Sequence, residues 1–160
     1  MSGFDHHQFR AAVIQPALTE IGLYSADAEE LLILTMATES LGGYYLFQKG
    51  GPALGVFEME PATHDDLWRT TIHPRAELYK TMHDLYFPLQ PTIAASVMVY
   101  NLKYAAAMAR IFYFRAPDAL PPASDVNALA NYYKKYWNTA LGAAEIQNVI
   151  DNYHRFIGAR

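Results

Sequence analysis

Apolar residues recur every three or four positions along most of the chain, and this spacing predicts a mainly helical fold. In the first periodic segment an apolar residue stands at every fourth position from Phe9 to Ile21, and Pro16 is expected to kink this helix or to start a second segment. Alternation of apolar and polar β-branched residues is nearly absent. The pattern therefore predicts one mainly α-helical domain over residues 1–160, with at most a small β-hairpin near residues 42–60.

The clearest helix is predicted in the sequence SADAEELLILTMATES, residues 25–40. Ser25 or Asp27 can cap its N-terminus, where acidic residues complement the helix dipole. Its middle offers little polar surface, so we expect it to be central and buried, and Gly42-Gly43 are expected to end it. Further helices are predicted at residues 61–72 with Pro61 first, within 73–91 closed by Pro88 and Pro91, over 91–115 as one long apolar helix, at 126–139 capped by Ser124 or Asp125, and at 143–158.

Composition narrows the possible functions. The 160-residue chain has a formal net charge of −4, and its Lys and Arg residues are scattered, so a nucleic-acid partner is not expected. It contains no cysteine, which excludes disulfides and thiolate metal ligands. Aromatic residues make up 14% of the chain, and they either line a binding groove or fill the core.

The N-terminal residues carry no cationic segment followed by an apolar stretch, so no signal peptide is expected. No apolar run reaches the roughly 18 residues of a membrane span, so no membrane insertion is expected. We expect the protein to be made in the cytoplasm and to depend on another agent for delivery if it acts elsewhere.

One carboxylate, Glu39, stands at the end of the most apolar predicted helix, and Tyr44, Tyr45, Phe47 and Phe57 follow it closely. Burial in a partly apolar pocket disfavours the charged form of a carboxyl group and raises its pKa toward neutrality. Such a group can keep its proton near neutral pH and give it to a leaving oxygen, as glycoside cleavage requires. The alternative is an ordinary solvated acid at a helix end.

Glu39 also opens a longer motif. Glu39-Ser40 is followed, 16 positions after Glu39, by the run GVFEMEPAT that begins at Gly55. This order resembles the lytic transglycosylase and goose-type lysozyme superfamily, in which Glu-Ser ends a helix, Gly-Leu-Met/Phe-Gln follows a loop, and Met-Pro-Ala-Thr opens the next helix. The matching positions are Glu39, Ser40, Gly55, Val56, Phe57, Met59, Pro61, Ala62 and Thr63.

The resemblance implies a single lysozyme-like domain that cleaves the β-1,4 bond between N-acetylmuramic acid and N-acetylglucosamine in peptidoglycan. It implies that Glu39 is the catalytic acid and base, and that neither a metal nor an organic cofactor is needed. Gly55 would let a sugar approach the backbone, Phe57 would form the floor of the groove, and Ser40 would orient Glu39 or serve only the fold. The substrate-binding residues implied are Ser40, Gly55, Phe57, Glu58, Met59, Tyr132 and Tyr133.

Departures from the family pattern leave alternatives open. Glu58 stands where the family has Gln, so it is a second carboxylate, an acceptor for sugar hydroxyls or a surface acid. The loop between Glu39 and Gly55 is about one residue longer than the usual form. The family's late Tyr-Asn pair has two candidates, of which the favoured one lies on the helix that carries Tyr132 and Tyr133, and the other is Tyr100-Asn101.

Three other clusters of polar and aromatic side chains are candidate binding sites, and none is expected to bind a metal. Adjacent histidines on a helix point apart, and two acids in a first helical turn are usually dipole partners. A basic and aromatic patch near residue 135 would touch polysaccharide or only solvent. The clusters are His6-His7; His64, Asp65 and Asp66; and Lys134 and Lys135 with Tyr132, Tyr133, Tyr136 and Trp137.

The functional expectation is a peptidoglycan-cleaving enzyme, with a lytic transglycosylase favoured. One alternative is a hydrolase in which Glu58, Asp65 or Asp66 positions water. The other is an inactive lysozyme-like protein that binds peptidoglycan or has a structural role. By analogy, we expect a bacteriophage origin, either as a virion component beside other virion proteins or as a lysin released through a holin, acting on glycan strands of the periplasmic cell wall.

Overall fold

Helices form most of the chain in the computed structural model, which describes residues 3–90, 92–139 and 143–158. The mainly helical class is therefore confirmed. Within residues 42–60, where at most a small β-hairpin was expected, the described ranges contain isolated β-bridges, Phe47 with Leu54 and Leu54 with Met59, and no sheet. The helices, labelled in chain order, are α1 (His6–Phe9, Arg10–Ile14 and Gln15–Glu20), α2 (Ala26–Glu39), α3 (Pro61–Leu67 and Trp68–Ile72), α4 (Ala76–Tyr86), α5 (Val97–Tyr100), α6 (Leu102–Phe114), α7 (Val126–Tyr136) and α8 (Ala143–Gly158).

Helix α1 passes through Pro16 without ending, because a π-helical turn precedes the proline. Residues Arg10–Ile14 form this turn, in which the N–H of Gln15 donates to the carbonyl oxygen of Arg10, five residues back. Proline has no N–H to donate and its ring crowds the preceding turn. The wider turn shifts the hydrogen-bond pattern, so Pro16 stands in the first turn of a new α-helical segment.

Helix α2 is the centre of the fold, as its apolar sequence predicted. Ser25 caps it by accepting a hydrogen bond from the N–H of Ala28 at 3.0 Å. Its residues from Leu31 to Ala37 are buried, and it packs against α1, α6, α7 and α8. The helix ends at Glu39, and Leu41 rather than a glycine takes the first left-handed conformation after it, with φ of 53°.

The single long helix predicted over residues 91–115 is wrong, because the chain breaks at Asn101. This residue has an extended conformation, with φ of −110° and ψ of 94°, and separates α5 from α6. Its side chain accepts a hydrogen bond from the N–H of Tyr104 at 3.0 Å, and so caps α6. An asparagine side chain competes with the helical backbone in this way, and it favours a new start over continuation.

A half-buried polar network joins the first, second and last helices. The Arg10 guanidinium on α1 donates to Glu29 at 3.1 Å and to Glu30 at 2.7 Å, both on α2. The Tyr153 hydroxyl on α8 donates to Glu30 at 2.5 Å. One cation therefore compensates two carboxylates that have been taken largely out of water.

Several other predicted helix limits agree with the structure, although α7 ends at Tyr136 rather than at residue 139. Helix α3 begins at Pro61, α4 ends before Pro88, and Asp125 caps α7 through the N–H of Ala128 at 2.9 Å. None of the helices in the described part of the chain is long and apolar enough to cross a bilayer.

Candidate active site

A cleft of about 330 Å³ lies where the end of α2, the loop after it and the end of α7 meet. Three glutamates, Glu39, Glu58 and Glu60, line this cleft. The rings of Phe112 and Trp137 also line it and lie with their centroids 4.6 Å apart. A concave site of this size, with an aromatic wall and a few converging polar groups, is typical of ligand binding.

Glu39 is the most buried carboxylate of the cleft and the one with the largest change in acidity. Burial raises its pKa from the ordinary 4.5 to about 7, and the nearby charge of Glu58 acts in the same direction. Hydrogen bonds from Tyr133 and Trp137 oppose that increase. Because burial has the larger effect, a substantial share of Glu39 keeps its proton at neutral pH.

Tyr133 holds the carboxyl group of Glu39 in place. Its side chain is 0% exposed, and its hydroxyl donates to Oε1 of Glu39 at 2.5 Å. Burial, followed by the charge of Glu39, raises the pKa of Tyr133 far above its ordinary value, so the phenol remains a donor. Oε1 is therefore engaged by the phenol, and the Trp137 side chain supplies a further hydrogen bond to the same carboxyl group.

Glu58 reaches the cleft from a left-handed backbone conformation. Its φ is 46°, which an L-residue with a side chain rarely adopts. The turn is closed by its N–H, which donates to the carbonyl oxygen of Gly55 at 3.0 Å. Burial raises the pKa of Glu58 as well. Strained non-glycine residues are concentrated at functional sites, so this conformation marks Glu58 as a residue to test.

Three of the expected site residues have other roles in the structure. Phe57 is 1% exposed and lies in the core, so it does not form the groove floor. Ser40 is buried, and its hydroxyl donates to the Val56 carbonyl oxygen at 2.6 Å and accepts from the N–H of Gly43 at 2.9 Å. It therefore joins the two ends of the loop, which is the structural role left open for it.

Packing within the protein, rather than the approach of a sugar, explains why position 55 requires glycine. Its φ is 75°, and an added Cβ would come to 2.5 Å from the carbonyl oxygen of Met98 on α5. The expected close approach is thus made by the protein's own backbone. Met59 does line the cleft, and its N–H and carbonyl group form the bridge with Leu54.

Tyr132 and Tyr133, adjacent on α7, have different partners. Tyr133 contacts Glu39, whereas the Tyr132 hydroxyl donates to the backbone carbonyl oxygen of Asp118 at 2.9 Å. Tyr100 is 71% exposed, and Asn101 is used as a helix cap. Of the two candidate positions for the late pair, the structure therefore brings the one on α7 to Glu39.

Sequence reasoning did not assign Trp137, Phe112, Gln48 or Asn138 to the site, although all four line the cleft. Trp137 had a usable signal, because it stands four residues after Tyr133 and such residues share a helix face. Phe112 had none, since only the packing of α6 brings it to the end of α7. The two amides belong to loop and helix-end positions whose direction depends on tertiary structure.

The expectation that His6 and His7 point apart is wrong, because their ring centroids lie 3.9 Å from each other. The cluster of His64, Asp65 and Asp66 is occupied by contacts within the protein. His64 is 0% exposed, with Nδ1 at 2.8 Å from Asp65 and Nε2 at 2.7 Å from the Tyr104 hydroxyl. Asp66 pairs with Arg115 at 2.8 Å and with an exposed arginine of α3. Residues 3–90, 92–139 and 143–158 contain no group of three or more potential ligands arranged to hold a metal ion.

One of the two lysines in the predicted basic and aromatic patch is paired with an acid. Lys135 pairs with Asp118 at 2.5 Å, and the Tyr136 hydroxyl donates to the same carboxylate at 2.5 Å. Trp137 belongs to the cleft instead. The patch therefore presents less positive charge than its sequence indicates.

Comparisons of the chain with protein-family models, with curated proteins and with solved structures found no match. The family resemblance consequently depends on the motif that begins at Glu39.

Proposed function

We propose that this protein cleaves the glycan strands of peptidoglycan at the β-1,4 bond between N-acetylmuramic acid and N-acetylglucosamine. The observation that carries the proposal is the Glu39 carboxyl group, which lines a cleft, accepts a hydrogen bond from Tyr133 and has a pKa of about 7. Such a group can act as an acid and then as a base at the same pH.

In the first step a glycan strand lies across the cleft, and the Glu39 carboxyl group gives its proton to the glycosidic oxygen. The C1–O bond of the muramoyl unit breaks as positive charge develops on its ring. The carboxylate that remains is held by the Tyr133 hydroxyl, and it lies close to that positive charge. Trp137 and Phe112 supply the flat apolar surface on which a sugar ring stacks.

In the second step the Glu39 carboxylate takes the proton of the muramoyl C6 hydroxyl, whose oxygen bonds to C1. The products are a 1,6-anhydromuramoyl end and a free N-acetylglucosamine end, and Glu39 recovers its proton. One carboxyl group is sufficient for this lytic transglycosylase reaction, and it uses neither a metal nor an organic cofactor.

A muramidase-type hydrolase is the second candidate, because Glu58 lines the same cleft as Glu39. In that reaction Glu58 would position water or bond to the sugar, and the product would carry a reducing end. Asp65 and Asp66 are not candidates for this role, since they are engaged with His64 and Arg115 and neither lines the cleft. The resemblance of the motif favours the transglycosylase.

The same resemblance leads us to propose a lysozyme-like, transglycosylase-type domain of bacteriophage origin. It would reach the periplasmic cell wall as a virion component, beside other virion proteins, or as a lysin released through a holin. The motif that begins at Glu39 supports this biological setting.

Digestion of purified peptidoglycan, with mass spectrometry of the products, tests the proposal. We expect anhydromuropeptides from the native protein, and reducing-end products would instead identify the hydrolase. Glu39→Gln is expected to abolish release, whereas Glu77→Gln, which alters an exposed acid on α4, is expected to leave it unchanged. If the native protein only pelleted with the wall material and released nothing, a binding role would replace the enzymatic one.

A further inference from the structure

The charge of the cleft indicates which glycans it accepts. Three carboxyl groups line it, of which Glu39 keeps its proton in part at neutral pH. The other lining residues in the described part of the chain are uncharged, without a Lys, Arg or His. Cleft walls exclude water and focus the electric field of the charges that line them. The site is already defined by its shape, its aromatic wall and Glu39, and the acids determine the charge of its ligand.

Two cations near the cleft, Arg115 and Lys135, are each compensated by an acid. Arg115 lies over the Phe112 ring, with its guanidinium carbon 5.0 Å from the ring centroid, but it pairs with Asp66 at 2.8 Å. Lys135 on α7 pairs with Asp118. Each of these cations is thus compensated by an acid of its own outside the cleft.

Glu58 and Glu60 also differ from Glu39 in having no protein partner of their own. In residues 3–90, 92–139 and 143–158, no hydrogen bond or ion pair joins either side chain to another group. Glu60 is exposed and Glu58 is half-buried, so both carboxylates are available to a ligand in the cleft. A cationic group placed there gains favourable electrostatic energy, and an anionic group is repelled.

We propose that the cleft selects glycan strands in which some hexosamine nitrogens are free amines, with Glu58 and Glu60 as the residues that recognise the ammonium group. An N-acetylated nitrogen is a neutral amide, whereas a deacetylated nitrogen carries a positive charge near neutral pH. The inference depends on the proposed glycan-cleaving function and adds the class of substrate to it.

The test uses stem-free murein glycan strands in two matched forms, one partly N-deacetylated and the other re-acetylated from the same batch with acetic anhydride. At low ionic strength we expect the initial cleavage rate to be about tenfold higher on the deacetylated strands. At about 1 M salt, where exposed charges are screened within a few ångströms, the ratio should fall toward one. Equal rates on both strands at low salt would overturn the inference while leaving the cleavage reaction in place.

Two variants identify the residues. Glu58→Gln combined with Glu60→Gln should bring the ratio of the two rates close to one, and Glu60→Gln alone should lower it about threefold. The single variant alters an exposed side chain, so it tests the proposal even if the strained Glu58 position does not tolerate change. Glu77→Gln should leave the ratio unchanged, and a ratio that survives the double variant would refute the assignment.

Binding measurements distinguish a failure of this inference from a failure of the proposed function. The Glu39→Gln protein is titrated with both forms of the strand, and tighter binding of the deacetylated form would support the inference even if no cleavage of either strand were seen. Binding that is equal for the two forms would overturn the inference. Absence of both binding and cleavage would overturn the inference and the proposed function together.

Discussion

Replacing Glu39 with Gln should remove activity and at the same time stabilise the fold at neutral and alkaline pH. The structure raises the pKa of Glu39 from the ordinary 4.5 to about 7, chiefly by burial. A carboxyl group whose pKa is raised on folding contributes its full stability below the unfolded value. That contribution is lost as the pH rises to the folded value, because the unfolded chain ionises first.

The size of the effect follows from those two pKa values. Each tenfold change in an acid dissociation constant corresponds to about 1.4 kcal/mol, so the native protein should lose about 3 kcal/mol of stability between about pH 4 and about pH 8.5 through this one group. Gln cannot ionise, and its amide oxygen can still accept the hydrogen bond from Tyr133. The variant should therefore escape the loss.

Urea unfolding of both proteins across this pH range measures the difference. We expect the gap in unfolding free energy between variant and native protein to widen by about 3 kcal/mol as the pH rises, with most of the change complete near pH 7. If the two proteins showed parallel pH dependence, Glu39 would not be a buried group of raised pKa. The enzymatic role proposed for it would then lose its physical basis.

Three further substitutions follow from the structure. Tyr133→Phe removes the hydrogen bond that lowers the pKa of Glu39, so the alkaline limb of the pH–activity profile should move to higher pH, as read from initial digestion rates. Arg10→Met leaves two half-buried carboxylates without their cation and should lower the unfolding free energy by about 3 kcal/mol in urea titrations. Gly55→Ala combines a left-handed backbone with a steric clash and should cost about 3 kcal/mol in a thermal or urea melt, whereas Gly22→Ala, with a similar φ and open space around it, should cost only about 1 kcal/mol.

A specific result would contradict each of these three predictions. An unchanged pH profile in the tyrosine variant would show that the phenol does not act on the carboxyl group. The control for Arg10→Met is Arg155→Met, which alters an exposed arginine on α8. Equal losses of unfolding free energy in the two variants would show that the polar network does not stabilise the fold. Equal losses in the two glycine variants would show that backbone strain alone, and not the contact with Met98, accounts for the effect at Gly55.

Helices whose limits depend on short-range signals were predictable. Ser25, Pro61 and Asp125 each act within one turn of their own position, so their roles can be seen in the sequence. The cap formed by Asn101 is also a local signal. The break there was missed because the apolar residues on both sides form a long pattern that favours one continuous helix. The outcome at such a residue depends on whether the tertiary structure gains from a change of direction.

Part of the site was predictable, because the sequence pointed to Glu39 and the motif resemblance to Glu58, Met59 and Tyr133. Glu39 could be chosen because an apolar helix leads directly to it. The direction of the loop side chains could not be foreseen, since the left-handed turn at Glu58 exposes that side chain to the cleft while Phe57, one residue earlier, stays in the core. Trp137 and Phe112 meet only because two helices distant in sequence pack together.

The most direct test is an NMR titration of the Glu39 carboxyl carbon in the folded native protein, assigned by comparison with Glu39→Gln. We expect its midpoint near pH 7, because burial raises the pKa of this group. A glutamate in an unstructured peptide titrates with a midpoint near pH 4.3. A midpoint close to that ordinary value would mean that Glu39 is ionised at neutral pH. In that case it could not serve as the proton donor on which the proposed cleavage depends.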